Sequence, residues 1–468
     1  MREAKPTTRP SIWRRGRSAA ADTGAARPRA TRPRAVRGLL GLATLLALTA
    51  AAWGAPSIAA SRSHAASGSP LVIADLAPFT GVDAVLGPGF LAGCYTATHA
   101  INQAGGIAGH PLQCKIFDTR GDPADAVPAT RQMFASTPNL VLVIGPTSDE
   151  AAAVVPIINA NHMVVFSGTG QSEFDKSRFK YFFRLTPPDA YSSYAMVATA
   201  HFRFHWNRIA FAFGNDIGSQ AFVQPAKQAV KAFHMKLTTN QVLNLGDSTF
   251  RTEADAVAAS KPQVVLTEAL GPTDATFLAE LQQLNHGKMI PVIGTSATID
   301  PSWYSAVAKA VGAKALQNNY YADALGILTT GPAYAVFKRN LLAIRKQITW
   351  APYTGYLDHP QTMHFYDAVT MSALAMVESG STKPSIYKND IKPIANGVPG
   401  AVTVTSFAQG IQALKAGKKI HYMGPGGATH FNQYNNSQVN FEIDKYGPKG
   451  SVVVVGSLPA NEIAAAQK

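Results

Sequence analysis

From Leu71 onward, short apolar runs alternate with longer stretches of helical periodicity, the pattern of an α/β fold. Leu71–Ala77 reads as a strand, and Gly87–Gly106 carries a helix that stops at a Gly pair. Leu112–Asp118 is the next strand, followed by a helix that Asp122-Pro123 opens as a cap with proline in the first turn. The clearest stretch is Leu140–Gly170, LVLVIGPTSDEAAAVVPIINANHMVVFSGTG. Two apolar runs, Leu140–Ile144 and Met163–Phe166, flank one helix, the spacing of a right-handed βαβ unit in a parallel sheet. Tyr181–Leu185 closes this half.

The alternation restarts after Thr186-Pro187-Pro188. A helix over Asp189–Phe204 precedes strands at Arg208–Phe213, Thr239–Leu243, Pro262–Glu268, Met289–Gly294 and Asn318–Ala322. Helices near Gln220–Phe233, Thr273–Leu284 and Pro301–Val311 separate them. The tail shows helices near Ala333–Gln347, Gln361–Gly380 and Ser406–Ala416, then strand-like runs at Val439–Ile443 and Val452–Val455. The fold expected is α/β, with two doubly wound lobes and a ligand cleft between them. Ligands of such sheets bind just past the C-terminal strand ends. The turns Gly145–Asp149 and Ser167–Gly170 both fall there, and the first opens a helix whose free N–H groups favour negative charge.

Composition changes this picture mainly at the N-terminus. Apolar residues make up 46% and charged residues 15% of the 468, as in a compact globular protein. Residues 1–37 hold eleven basic residues against Glu3 and Asp22, so they carry +9 of the total +14 and leave +5 for the rest. That remainder is no nucleic-acid footprint. The basic segment precedes the apolar run Gly38–Ala60, and small residues at Ser57-Ile58-Ala59 and Ser63-His64-Ala65 offer two cleavage sites; residues 1–65 read as a secretory leader. Counted whole, the run spans 23 residues, long enough for a retained anchor instead. Cys94 and Cys114 are the two cysteines; in an exported chain they read as a bridge, the alternative being two free thiols.

Nothing along the chain reads as catalytic. Gly87-Pro88-Gly89 lies ten residues past its strand, with the next Gly at 93, and does not make a dinucleotide loop. Gly294-Thr295-Ser296-Ala297-Thr298 lacks the second Gly of a nucleophile elbow. His201 and His205 stand at helical spacing without an intervening Glu, which reads better as cations near a helix C-terminus than as a metal pair.

Seven segments together resemble the type I periplasmic binding proteins of branched-chain amino acid ABC transporters. They are Pro78–Gly93, Ala100–Leu112, Asp122–Ala126, Ile144–Ala152, Phe182–Asp189, Tyr366–Val369 and Met423–Asn432. The resemblance implies a monomeric, exported solute-binding protein, periplasmic or at the cell surface, with neither catalysis nor cofactor. Its two lobes, joined by three crossovers, would close around a small amino acid-like or amide solute and hand it to a membrane permease. Lobe one would comprise 70–189, completed by about 323–415, and lobe two 190–322, completed by about 420–458. A ligand-sensing subunit of a signalling system is the alternative.

The resemblance also implies ligand contacts at Ser148, Ser167, Gly168, Thr169 and Asp189. Asp149 stands where a second Ser is usual; it is either a ligand contact or a first-turn acid beside a Thr147–Glu150 capping box. Leu86, Ile217 and about Gly271 replace tyrosines of the amino-acid binders, and the acid that meets the ligand ammonium aligns near Ser296. Glu268, at a strand end, either takes over that role or is solvated. These departures imply a ligand more hydrophobic than an α-amino acid, or one that is cationic or neutral.

Overall fold

The computed structural model describes residues 67–465 apart from positions 82 and 439. The leader, with its choice between cleaved signal and retained anchor, lies outside the described residues, as does Val439 of the expected Val439–Ile443 strand.

The first sheet is parallel and contains β1 (Leu71–Ala77), β2 (Leu112–Asp118), β3 (Leu140–Ile144), β4 (Val165–Ser167) and β5 (Phe182–Arg184). Their spatial order is β2-β1-β3-β4-β5, with α1 (Gly87–Gln103), α2 (Pro123–Ser136) and α3 (Ser148–Ala160) as crossovers. Local chemistry sets the helix starts. Asp122 accepts the Ala124 N–H at 2.6 Å ahead of Pro123. At α3, Thr147 N–H and Oγ1 both donate to the Glu150 carboxylate, at 3.1 and 2.7 Å.

The second sheet repeats that order. It is built from α4 (Asp189–Ala198), β6 (Arg208–Gly214), α5 (Ile217–Ala221), α6 (Val223–Ala232), β7 (Lys236–Leu243), α7 (Arg251–Ser260), β8 (Val264–Glu268), α8 (Gly271–Leu284), β9 (Val292–Thr295), α9 (Pro301–Val307), α10 (Ala313–Asn319) and β10 (Tyr320–Leu325). Its parallel part runs β7-β6-β8-β9-β10. The expected Asp189–Phe204 helix becomes α4 plus a π-helical turn at Thr199–Arg203, and the expected Gln220–Phe233 helix is divided between α5 and α6.

The chain then returns to the first sheet through α11 (Gly331–Ile344), α12 (Pro360–Ser379), α13 (Pro384–Asn396), β11 (Val402–Val404), α14 (Phe407–Lys415), β12 (Ile420–Tyr422), β13 (His430–Phe431) and β14 (Ser437–Gln438). Phe337, Phe365, Tyr387, Ile420 and Phe431 share one core with Ile73, Ile144 and Phe166. Antiparallel β15 (Phe441–Tyr446) and β16 (Val452–Leu458) extend the second sheet beyond β10, and α15 (Ala460–Ala465) packs on α4. The return to lobe two therefore comes near 440 rather than at the expected 420, because Ile420, Tyr422 and Phe431 are apolar residues buried against α12 and α13. Among the described residues the chain passes between the lobes at Leu185–Asp189, at 326–330 and ahead of β15, where Gly326 N–H donates to Asn440 O at 2.9 Å.

Cys94 on α1 and Cys114 on β2 form a disulfide. Among the described residues, no helix is long and apolar enough to cross a membrane.

Candidate functional site

The inner strands of both sheets point their C-terminal ends at one cleft between the lobes, of about 1060 Å³ including its open mouth. Asp83, Val85, Leu86 and Phe90 follow β1, Thr147, Ser148 and Asp149 follow β3, and Gly168 and Gly170 follow β4. Asp189 and Ser192 come from α4. The facing wall holds Asp216, Gly218 and Phe222 after β6, Glu268 at the end of β8, and Ser296, Asp300 and Trp303 after β9. His359 and Gln361 enter from the start of α12. The geometry is that of a binding cleft at the switch points of two open sheets.

Of the residues singled out by sequence, Leu86, Ser148, Asp149, Gly168, Asp189 and Glu268 line this cleft. Ser167, Thr169 and Ile217 do not. Ser167 is fully buried, donating to Pro146 O at 2.7 Å and accepting from Thr169 N at 3.1 Å. Thr169 is equally buried, with its Oγ1 accepting from Gln171 N and standing 3.3 Å from Ser148 Oγ. Both hydroxyls sit behind the wall and are used up in shaping it. Ile217 points to solvent, 51% exposed, because the helix it begins meets the cleft through Gly218 and Ser219. Gly271 leaves no room for a large residue, since a Cβ there would stand 2.9 Å from Trp303 Cα.

Asp149 has a role that the sequence did not show. Glu150 serves the cap of α3, and Asp149 instead reaches across to lobe two, where its Oδ1 accepts the Gly218 N–H at 2.9 Å. On the other side of the cleft, His359 Nε2 lies 3.5 Å from Asp300 Oδ2. His359 Nδ1 accepts the Thr362 N–H at 3.1 Å as the cap of α12, which leaves the ring proton on Nε2, facing Asp300. The lobes thus meet at two polar contacts that flank the cleft.

Four of the cleft carboxylates, Asp83, Asp149, Asp189 and Glu268, are strongly perturbed. Burial, with Asp149, Asp216 and Glu150 nearby, pushes Asp83 up to about 8. Burial and Asp216 push Asp149 up to about 7, against the Gly218 N–H. Asp189 is pushed up to about 8 by burial, partly opposed by Arg184. Burial also raises Glu268, although the Thr295 hydroxyl donates to it. Asp189 packs so closely on Gly170 that a Cβ at 170 would lie 1.7 Å from Oδ1.

A family model for periplasmic binding proteins matches residues 70–440. The chain belongs to the periplasmic binding protein family. A chemotactic signal transduction system substrate-binding protein, BasB of Halobacterium salinarum, is 22% identical over 77% of this chain and 83% of its own length. The branched-chain amino acid transporter substrate-binding protein LivJ of Streptococcus pneumoniae, solved with isoleucine, superposes with a TM-score of 0.65 at 14% identity, over 84% of this chain and 99% of that one. A solute-binding protein of an ABC transporter from R. palustris, solved with benzoate, gives 0.64 at 16% identity, over 83% and 96%. At these identities the shared property is the type I periplasmic binding fold. The family consists of extracytoplasmic solute-binding proteins, not enzymes. Among the described residues, no group of three or more His, Cys, Asp or Glu is arranged to hold a metal. His201 stacks on Phe233 instead, ring centroids 4.8 Å apart.

Asp83, Asp216, Asp300 and His359 were missed in the sequence. Asp216 stands two residues past a strand end and was within reach of the strand-end rule. His359 carries no such signal, because it reaches the cleft only through the fold-back of α12.

Proposed function

We propose that this chain is the exported solute-binding component of an ABC importer, a monomer that captures a small solute by closing its two lobes and delivers it to a membrane permease. The observation that carries this reading is the cleft itself. Each lobe supplies half of its lining from strand ends, and the lobes touch at two polar contacts that a hinge motion can break and remake. Leu86, Ser148, Asp149, Gly168, Asp189 and Glu268 are the proposed ligand contacts, with Ser167 and Thr169 positioning the turn behind Ser148. Closure requires a ligand that binds the closed form better than the open one.

Differential scanning fluorimetry of the purified chain against amino acids, amides, amines and aromatic acids tests the proposal. A solute at about 100 times its Kd adds about 2.7 kcal/mol of apparent stability, and the expected result is at least one such stabilising compound. A fully inert panel would count against any solute-binding role.

The similarity to the chemotactic BasB favours a second reading, a ligand-detecting subunit of a signalling system. Co-purification with a permease supports transport, and co-purification with a membrane transducer supports sensing.

A further inference from the structure

The cleft has a charge character that its solute must answer. Asp83, Asp149, Asp189, Asp216, Glu268 and Asp300 all line it, and among the described residues no lysine or arginine does. Its histidine, His359, already faces Asp300. Five of these acids fall into two groups, and Asp300 faces His359. Around Gly218, a Cβ would stand 3.3 Å from Asp216 Oδ1 and 3.5 Å from Asp149 Oδ1, so both carboxylates crowd one corner, with Asp83 close enough to feel their charge. The other group holds Asp189 on α4 and Glu268 at the end of β8; Glu268 feels the charge of Asp189 first, then that of Asp216 and Asp149.

An acidic cluster alone does not define a ligand, but the hydrogen-bond inventory points the same way. Asp189 is 6% exposed, and its Oδ2 has no hydrogen-bond partner among the described residues. Gln361 Oε1 and Thr186 Oγ1, also on the cleft lining, are buried without partners as well. A buried acceptor left unpaired is costly, so these atoms call for donors from whatever fills the cleft. The same lining also holds the apolar and aromatic side chains of Leu86, Phe90, Phe222 and Trp303. Aromatic faces tolerate the methylenes of a cationic chain and attract its charged ends.

We infer that the cleft takes a compact organic dication: two protonated nitrogens on a short apolar spacer, with no carboxylate. Each nitrogen meets one acidic region, and the spacer lies against the aromatic wall. A ligand carboxylate would meet Asp149 and Asp216 in the corner where the helix ends of this fold would otherwise receive an anion. This inference rests on the solute-binding reading and narrows it to a ligand class.

Isothermal titration calorimetry of the full chain tests it with 1,4-diaminobutane and 1,5-diaminopentane, against butylamine, leucine and benzoate as single-charge, zwitterionic and anionic controls. The diamines are expected to bind at least about tenfold more tightly than butylamine or leucine, and benzoate not to bind. Asp189→Asn should weaken diamine binding by at least about tenfold, with circular dichroism confirming the fold. Asp83→Asn, in the other acidic group, should also weaken the diamines by at least about tenfold, again with circular dichroism confirming the fold. Tight binding of leucine or benzoate without diamine binding overturns the inference and leaves solute binding intact. Failure of every compound here and in the fluorimetry panel overturns both. Diamine binding that neither substitution weakens also overturns it, because the charge would then be read elsewhere.

Discussion

Asp149 shows how much a single carboxylate can alter in this cleft. A serine there would offer a hydroxyl; the aspartate instead holds the Gly218 amide of α5 in the opposite lobe. Asp149→Ala should raise the open population, read as a larger radius of gyration by small-angle scattering without ligand, while global stability falls by no more than about 1 kcal/mol. Asp149→Asn keeps an acceptor oxygen and should restore most of the compactness. The buried acids also set a pH dependence. Asp83 and Asp189 rise from 3.8 to about 8 in the folded chain, so between those values the folded state binds more protons than the unfolded one. Their favourable contribution is complete below pH 3.8 and is lost as pH rises through 8. The Tm of the ligand-free chain should therefore fall between pH 5 and pH 8.5, and Asp83→Asn should flatten part of that slope.

At the scale of elements, the disulfide ties α1 to β2 across a separation of 20 residues. Replacing both cysteines with alanine should lower stability by about 3 kcal/mol in a denaturant titration, by the chain-entropy argument. The same helix meets α12 closely at Gly93, where a Cβ would stand 2.5 Å from the Thr362 carbonyl. That approach seats the start of α12, and so His359 and Gln361, at the cleft. Helices α7, α10, α13 and α15 have no counterpart in the apolar pattern of the sequence, and α7 and α13 show why. In α7 (RTEADAVAAS), Ala254 and Val257 are its buried residues, and α13 (PSIYKNDIKPIAN) carries a proline inside the helix. Their apolar faces are too narrow, or too interrupted, to show above the polar background. Strands β1, β2 and β3, by contrast, were legible to the residue, because dense apolar runs end at polar turns.

For the whole molecule, two sheets of the same strand order face each other, with three passages between them among the described residues. The repeated order is the structural counterpart of the restart seen after Thr186-Pro187-Pro188. The passage at 326–330 is tied to the chain entering β15 by the Gly326 N–H to Asn440 O hydrogen bond. The second sheet ends in β16, whose Val453, Val454 and Val455 are exposed.

The sequence by itself determined the α/β class, most strand and helix positions, the two turns of the first wall and the family resemblance. All of these rest on periodicity, capping and short motifs, which are local. Only the tertiary structure decided that Thr169 supports the wall rather than lining it, that Asp149 bridges the lobes, and that Asp83, Asp216, Asp300 and His359 share one cleft with Asp189 and Glu268. Those residues come from separate loops scattered along the chain. Their proximity, their desolvation and the unpaired acceptors beside them arise from how the two sheets face each other, and no local pattern encodes that.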